Sequence, residues 1–139
     1  MHPSLKVDTT FPIMKKILTL LAIIIAALVS CTAQPFNKNI EADKVKQLLD
    51  EGVTVIDVRT PQEYSEGYIK GANNIDWYAS DFLNNIEKLN HQQPVVLYCR
   101  SGNRSVLAAA KLQSLGFTKI YSLTGGINNW QTSGFPVEN

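Results

Sequence analysis

The residue of this sequence that is best placed to carry out a chemical reaction is Cys99. It directly follows Val95–Tyr98, an apolar run that predicts a buried strand. Small and polar residues come next, and an Ala- and Leu-rich helical pattern then begins. A thiol between a strand end and a helix start faces backbone N–H groups and a helix dipole, both of which favour an anion. Because the thiolate is the reactive form of cysteine, Cys99 is predicted to be a nucleophile.

The competing interpretation of Cys99 is a structural one. Free cysteine is among the residues that are most often buried, and a strand end is an ordinary place for it. Two arginines, Arg100 and Arg104, lie close to it in the sequence, together with Gly102. These neighbours favour the chemical interpretation.

Composition limits the classes of function that are open to the chain. Its 139 residues suit one domain. A formal net charge of +1, without a basic stripe, gives no electrostatic case for binding nucleic acid. The two cysteines, Cys31 and Cys99, are interpreted as unrelated. One cysteine and His91 in the expected mature chain make no metal site, and no cofactor is expected.

The N-terminal region has the pattern of an export signal. Lys15 and Lys16 precede the apolar run Ile17–Val29. This run is shorter than the roughly 20 residues that cross a bilayer, but it fits the apolar region of a signal peptide. It ends at Leu28–Cys31, which resembles a bacterial lipobox. The resemblance implies cleavage before Cys31 and a lipid on that cysteine.

The expected organisation follows from this signal. Residues 1–30 are a short N-terminal extension and a lipoprotein signal peptide, with Met14 as the expected start. Residues 31–39 are a polar tether, and residues 40–139 form the domain. The mature protein is expected to be anchored by lipid to a membrane of the bacterial envelope and to face the periplasm. Two alternatives stay open: Cys31 is incidental to an ordinary signal peptide or short anchor, or it forms a disulfide with Cys99.

Helix and strand signals alternate along residues 40–139. Helices are predicted over Ala42–Glu51, from Thr60 to about Gly67, over Phe82–Leu89, over Ser101–Leu115 and from Gly125 through Trp130. The second of these begins with Thr60–Glu63, which has the pattern of a capping box with Pro61 at the first helical position. Strands are predicted over Val53–Val58, over Pro94–Tyr98 and over Ile120–Leu123. Ile69–Ile75, which contains Gly71 and two asparagines, is predicted to be a turn that leads to a brief strand.

This alternation predicts an α/β fold, a single domain whose largely parallel central sheet has helices on both faces. In such open sheets, ligands bind beyond the carboxyl ends of the strands. Cys99 occupies such a position. Asp57 and Arg59, at the end of another predicted strand, are expected to lie near it.

Three motifs of the domain resemble those of the single-domain rhodanese family of sulfurtransferases. The first is Asp57-Val58-Arg59 followed by Glu63-Tyr64, Gly67, Ile69, Gly71-Ala72 and Asn74-Ile75; the second is the loop Cys99–Ser105, and the third is Leu123–Gly126 with Trp130. The three occur in the family's order and with its spacing, and they span nearly all of the expected mature chain. One departure is Tyr68, where the family often has histidine, and this removes a candidate acid–base group.

The resemblance implies a two-step transfer of sulfane sulfur. The Cys99 thiolate attacks the outer sulfur of thiosulfate or of a polysulfide or persulfide donor, and a Cys99 persulfide forms. A thiol or cyanide then takes this sulfur away. The expected partners are therefore small sulfur-containing anions and thiol acceptors, together with the membrane that holds the lipid on Cys31.

The loop that follows Cys99 is expected to bind the anionic sulfur and donor, and it consists of Arg100, Ser101, Gly102, Asn103, Arg104 and Ser105. Its amides can point inward, and its two serine hydroxyls add donors. Gly102 permits a tight turn with positive φ, and the two arginines are candidates to attract a dianionic donor. Asp57 and Arg59 are expected to form a supporting ion pair, with Arg59 bracing the domain.

Three other functions are weighed against sulfur transfer. Cysteine phosphatases need a phosphate cradle of the form C-x-x-x-x-x-R, whereas Cys99 and Arg104 bracket a shorter loop; no useful phosphatase activity is therefore expected. A binding or persulfide-carrier module that does not turn over is a second alternative. A redox sensor is the third, although the mature chain lacks a second thiol for an internal relay.

Overall fold

The computed structural model describes residues 10–29 and 36–139, and it divides the chain into two units, Met1–Ala33 and Gln34–Asn139. In the first unit, helix α1 (Thr10–Val29) contains the predicted apolar run and begins before Met14. Within the described part of the chain, no helix combines the length and the apolar character that crossing a membrane requires. Cys31 and the cleavage site predicted before it lie outside the described residues.

The second unit is built on a sheet of five strands: β1 (Phe36–Ile40), β2 (Thr54–Asp57), β3 (Asn73–Asn74), β4 (Val95–Tyr98) and β5 (Lys119–Leu123). Their order across the sheet is β1-β5-β4-β2-β3, and the described pairings are all parallel. The predicted α/β fold with a parallel sheet is confirmed. All four residues of β4 are buried, because this central strand has a paired neighbour on each side and helices on each face.

Five helices complete the unit: α2 (Ala42–Asp50), α3 (Pro61–Ser65), α4 (Phe82–Glu87), α5 (Asn103–Ser114) and α6 (Gly126–Thr132). They define two apolar clusters. One contains Val45 of α2 and Trp130 of α6, and the other contains Ile86 of α4 and Leu112 of α5. Alternate residues of a strand enter different clusters, as side chains that point to opposite faces of a sheet must. The sheet therefore carries helices on both faces.

Strand β1 corrects the predicted boundary of the domain. Residues 31–39 were expected to be a tether, but residues 36–39 belong to β1, whose Phe36–Ile40 pairs in parallel register with Lys119–Leu123. Lys38 and Asn39 are exposed. The strand is held by backbone hydrogen bonds at the sheet edge, so the polar sequence carries no apolar alternation that would indicate it.

The first turn of α3 has the predicted capping box. The Thr60 hydroxyl accepts a hydrogen bond from the Glu63 amide at 3.3 Å, and a Glu63 carboxylate oxygen accepts one from the Thr60 amide at 3.1 Å. Pro61 occupies the first helical position, where its lack of an N–H has no cost. The capping box therefore fixes the Glu63 carboxylate at the start of α3.

Candidate active site

Cys99 follows β4 at the carboxyl end of the sheet, where the sequence places it. Its thiol is free, and only 1% of the residue is exposed. The amide of Gly102 donates a hydrogen bond to the Cys99 sulfur at 3.1 Å. The sulfur is thus held inside the loop that follows it.

The loop turns sharply at Gly102, which has a φ of +100°. An added Cβ would lie 3.3 Å from the amide nitrogen of Gly125, so both conformation and space favour glycine here. Because Gly102 is not helical, α5 begins at Asn103 and not at Ser101 as expected. The first-turn amides of α5 have no intrahelical acceptors, as in any α-helix, and Gly102 brings no side chain to cap them. Ser101 and Asn103 themselves are exposed.

Two buried serines form a hydrogen-bonded chain that reaches the Cys99 sulfur. The Cys99 thiol donates to the hydroxyl of Ser105 across 3.8 Å. This hydroxyl donates to the Gly102 carbonyl at 3.0 Å and accepts from Ser122 at 2.9 Å. A hydroxyl that rotates can donate to a thiolate as readily as it accepts from a thiol. Ser122 was not predicted; the signal was a serine between the apolar residues of a buried strand.

The segment at the start of α6 fixes the orientation of the peptide groups in the loop that follows Cys99. The amides of Ile127 and Asn128, at the start of α6, donate to the carbonyls of Cys99 at 2.9 Å and Arg100 at 3.2 Å. Gly126 makes this approach possible. A Cβ there would lie 2.6 Å from the carbonyl carbon of Arg100 and still closer to the Cys99 carbonyl. In a trans peptide the C=O and N–H point in opposite directions, so the N–H groups of Arg100 and Ser101 face away from α6.

Both loop arginines bind one carboxylate, that of Glu63. The guanidinium of Arg104 donates to its two oxygens at 2.7 and 2.8 Å, and Nε of Arg100 donates at 3.0 Å. The hydrogen bond from Arg104 holds the pKa of Glu63 far below its usual range, against the effect of partial burial. The same bond raises the pKa of Arg104. The arginines predicted to attract a donor are therefore already paired.

Glu63 itself was not predicted to belong to the site. The sequence assigned its carboxylate to the capping box of α3, which is correct but incomplete. The carboxylate makes both sets of contacts at once. The signal that could have identified it is the presence of a glutamate in one motif and of two arginines in another.

Asp57 and Arg59 form the expected ion pair. Nε and Nη2 of Arg59 reach the Asp57 carboxylate at 2.6–3.0 Å, and Nη2 also donates to the Gly67 carbonyl at 2.7 Å. Both residues are buried. The pair joins the end of β2 to the segment after α3, and the bracing role of Arg59 stays a prediction.

No group of histidine, cysteine, aspartate and glutamate side chains in the described residues is arranged to hold a metal ion. The chemistry that the arrangement itself can support is that of a thiolate held among backbone amides and a buried hydroxyl.

Comparison with known proteins identifies the fold. Residues 41–133 match the model of the family described as Rhodanese-like domain. The thiosulfate sulfurtransferase GlpE of Pseudomonas fluorescens Pf-5 is 37% identical over 102 residues, which cover 73% of this chain and 90% of that protein. GlpE of Pseudomonas aeruginosa PAO1 is 36% identical, with 73% of this chain and 89% of that protein covered.

Solved structures of rhodanese-like proteins have the same fold. The crystal structure of a rhodanese-related protein from Thermoplasma volcanium superposes with a TM-score of 0.63 at 31% identity and covers 73% of this chain and 97% of its own. A rhodanese-like domain protein from Staphylococcus aureus gives a TM-score of 0.62 at 28% identity, with 73% and 99% covered.

Removing the buried carboxylate of Asp57 tests the bracing ion pair. In Asp57→Ala the guanidinium of Arg59 stays buried without its partner, and we expect a loss of about 3–5 kcal/mol in the free energy of unfolding, measured with urea. Lys46→Ala, which removes the exposed ion pair with Asp50, should cost less than about 1 kcal/mol. Equal, small losses in the two variants would contradict the bracing role.

Adding one methyl group at Gly126 tests the contact between the two loops. Gly126→Ala places a Cβ against the Cys99–Arg100 peptide, whereas Gly134→Ala meets open space at a similarly positive φ. Both variants carry the backbone strain, but only the first carries the clash. We expect Gly126→Ala to be less stable than Gly134→Ala by at least about 1–3 kcal/mol in thermal unfolding. Equal stability of the two variants would show that the loops do not pack tightly.

Proposed function

The chain belongs to the rhodanese-like domain family, and on that premise we propose that it is a sulfurtransferase that carries sulfane sulfur as a persulfide on Cys99. The observation that carries the proposal is the setting of the Cys99 thiol. It is free, it accepts a hydrogen bond from the Gly102 amide at 3.1 Å, and it precedes a helix whose first turn is uncapped. The relatives named thiosulfate sulfurtransferase support the same activity.

In the first half-reaction the Cys99 thiolate attacks the outer sulfur of the donor. A bond forms between the two sulfurs, and the sulfur–sulfur bond of the donor breaks. The leaving group is sulfite when thiosulfate is the donor and a thiolate when a persulfide is the donor. In both cases the leaving group keeps the bonding electron pair. The thiol proton passes to solvent before the attack.

The loop stabilises negative charge at each stage. The Gly102 amide is already in place at the sulfur, and the first-turn amides of α5 offer further donors. The Ser105 hydroxyl can turn from the Gly102 carbonyl toward the sulfur while it still accepts from Ser122. These groups belong to the folded backbone and a buried pair, so they need little rearrangement during the reaction.

In the second half-reaction a thiolate or cyanide attacks the terminal sulfur of the persulfide. The bond between that sulfur and the Cys99 sulfur breaks, and the Cys99 thiolate is released for another cycle. Covalent catalysis divides one difficult transfer into two displacements at sulfur. Thiosulfate, polysulfides and persulfides all have the sulfane sulfur that the first step requires.

Turnover with cyanide tests this function. We expect the protein to form thiocyanate from thiosulfate and cyanide, and Cys99→Ser, which keeps a small polar side chain but not the sulfur, to reduce the rate to that without protein. Ser114→Ala, an exposed serine at the far end of α5, serves as the control. Thiocyanate formation that survives in Cys99→Ser would contradict the proposal.

We also propose that Cys31 anchors the protein to a bacterial membrane. The support is the sequence itself, with Lys15 and Lys16 before the apolar run Ile17–Val29 and a cysteine shortly after it. The lipid would hold the domain on the periplasmic side, close to donors and thiols of the envelope.

Metabolic labelling of expressing bacteria with an alkyne-bearing fatty acid tests the anchor. We expect the full chain to incorporate the label and to sediment with membranes, and Cys31→Ser to lose the label. Cys99→Ser, which removes the other cysteine, should be labelled like the unchanged protein. Labelling that persists in Cys31→Ser would contradict the anchor.

A further inference from the structure

Glu63 is the centre of a charged cluster formed with the arginines of the loop that follows Cys99. Its carboxylate binds the guanidinium of Arg104 through two hydrogen bonds and that of Arg100 through one. Arg100 also lies 3.7 Å from the carboxylate of Glu66. The side chains of Glu63 and Arg104 are 16% and 17% exposed, so their pairing is shielded from water.

The formal charges in this cluster cancel. Arg100 and Arg104 contribute two positive charges, and Glu63 and Glu66 contribute two negative ones. The cluster adjoins the reactive sulfur, because Arg104 directly precedes Ser105, whose hydroxyl lies 3.8 Å from the Cys99 sulfur. An approaching donor therefore meets a thiolate and a neutral set of side chains instead of two free cations.

We infer that Glu63 determines the donor charge that the site accepts, by neutralising the loop arginines and so favouring singly charged sulfane-sulfur donors over doubly charged ones. The inference rests on the proposed function, and it concerns the substrate class of the same site. The second negative charge of a donor such as thiosulfate gains little from guanidinium groups that already hold a carboxylate, and the thiolate repels it. Donors of this preferred class are organic thiosulfonates and alkyl persulfides.

Two donors that differ by one charge but undergo the same bond changes separate the effect of donor charge from that of the sulfur-transfer step. Thiosulfate carries two negative charges, and methanethiosulfonate carries one because a methyl group replaces an oxyanion. In both, the Cys99 thiolate bonds to the outer sulfur and the sulfur–sulfur bond breaks. Sulfite leaves in one case and methanesulfinate in the other, each with the bonding electron pair.

The decisive variant is Glu63→Gln, measured as kcat/KM for each donor with cyanide as acceptor. Glutamine preserves the capping box at the start of α3, so the local fold is kept. We expect the ratio of kcat/KM for thiosulfate to that for methanethiosulfonate to rise about three- to tenfold at low ionic strength, and the gain to shrink in high salt.

Two further variants complete the test. Glu51→Gln makes the same change in net charge at the end of α2, beside the amino ends of the strands, and should leave the ratio unchanged. Arg100→Gln, at a half-exposed position, removes a positive charge from the cluster and should lower the ratio. If Glu63→Gln unfolds, Arg100→Gln still tests whether the charge of the cluster determines the ratio.

The outcomes are distinct. A ratio that is unchanged or lower in Glu63→Gln, or unchanged in Arg100→Gln, would overturn the inference while the sulfurtransferase activity stands. If the protein without substitutions turns over neither donor, the proposed function is overturned and this inference with it.

Discussion

The site depends on the contact between the Cys99–Arg100 segment and the start of α6. Two carbonyls of the segment accept hydrogen bonds from the amides of Ile127 and Asn128, and the two backbones meet where only Gly126 leaves room. This contact turns the carbonyls of the loop in one direction and its amides in the other. A parallel sheet brings the ends of β4 and β5 side by side, so the contact follows from the fold itself.

The buried polar side chains of the site have their partners inside the protein. Among the described residues, no buried side-chain nitrogen or oxygen lacks a hydrogen-bond partner. Ser122 binds Ser105, Arg59 binds Asp57, and the loop arginines bind Glu63. Groups that are already oriented need little rearrangement when charge develops on sulfur. In the proposed mechanism, electrostatic support for the thiolate therefore comes from amides and a hydroxyl, while the arginines are held by a carboxylate.

Local signals in the sequence predicted much of this arrangement. The apolar run before Cys99, the capping box at Thr60 and the Asp57–Arg59 pair each involve residues close together in the chain, and the structure has all three. Strand β1 was missed because its pairing is made by the backbone at a polar sheet edge. The roles of Glu63 and Ser122 were missed because their partners come from distant segments and become neighbours only through the tertiary fold. The lipid anchor on Cys31 stays a prediction from the sequence.

The central claim, that the Cys99 sulfur accepts and holds a second sulfur, is tested most directly by mass spectrometry of the intact protein. Residues 31–139 with Cys31→Ser contain one thiol, so the site of any adduct is unambiguous. After treatment with thiosulfate, we expect a gain of about 32 Da that cyanide removes and that Cys99→Ala lacks. No sulfur adduct with either thiosulfate or a polysulfide, or an adduct that persists in Cys99→Ala, would contradict it.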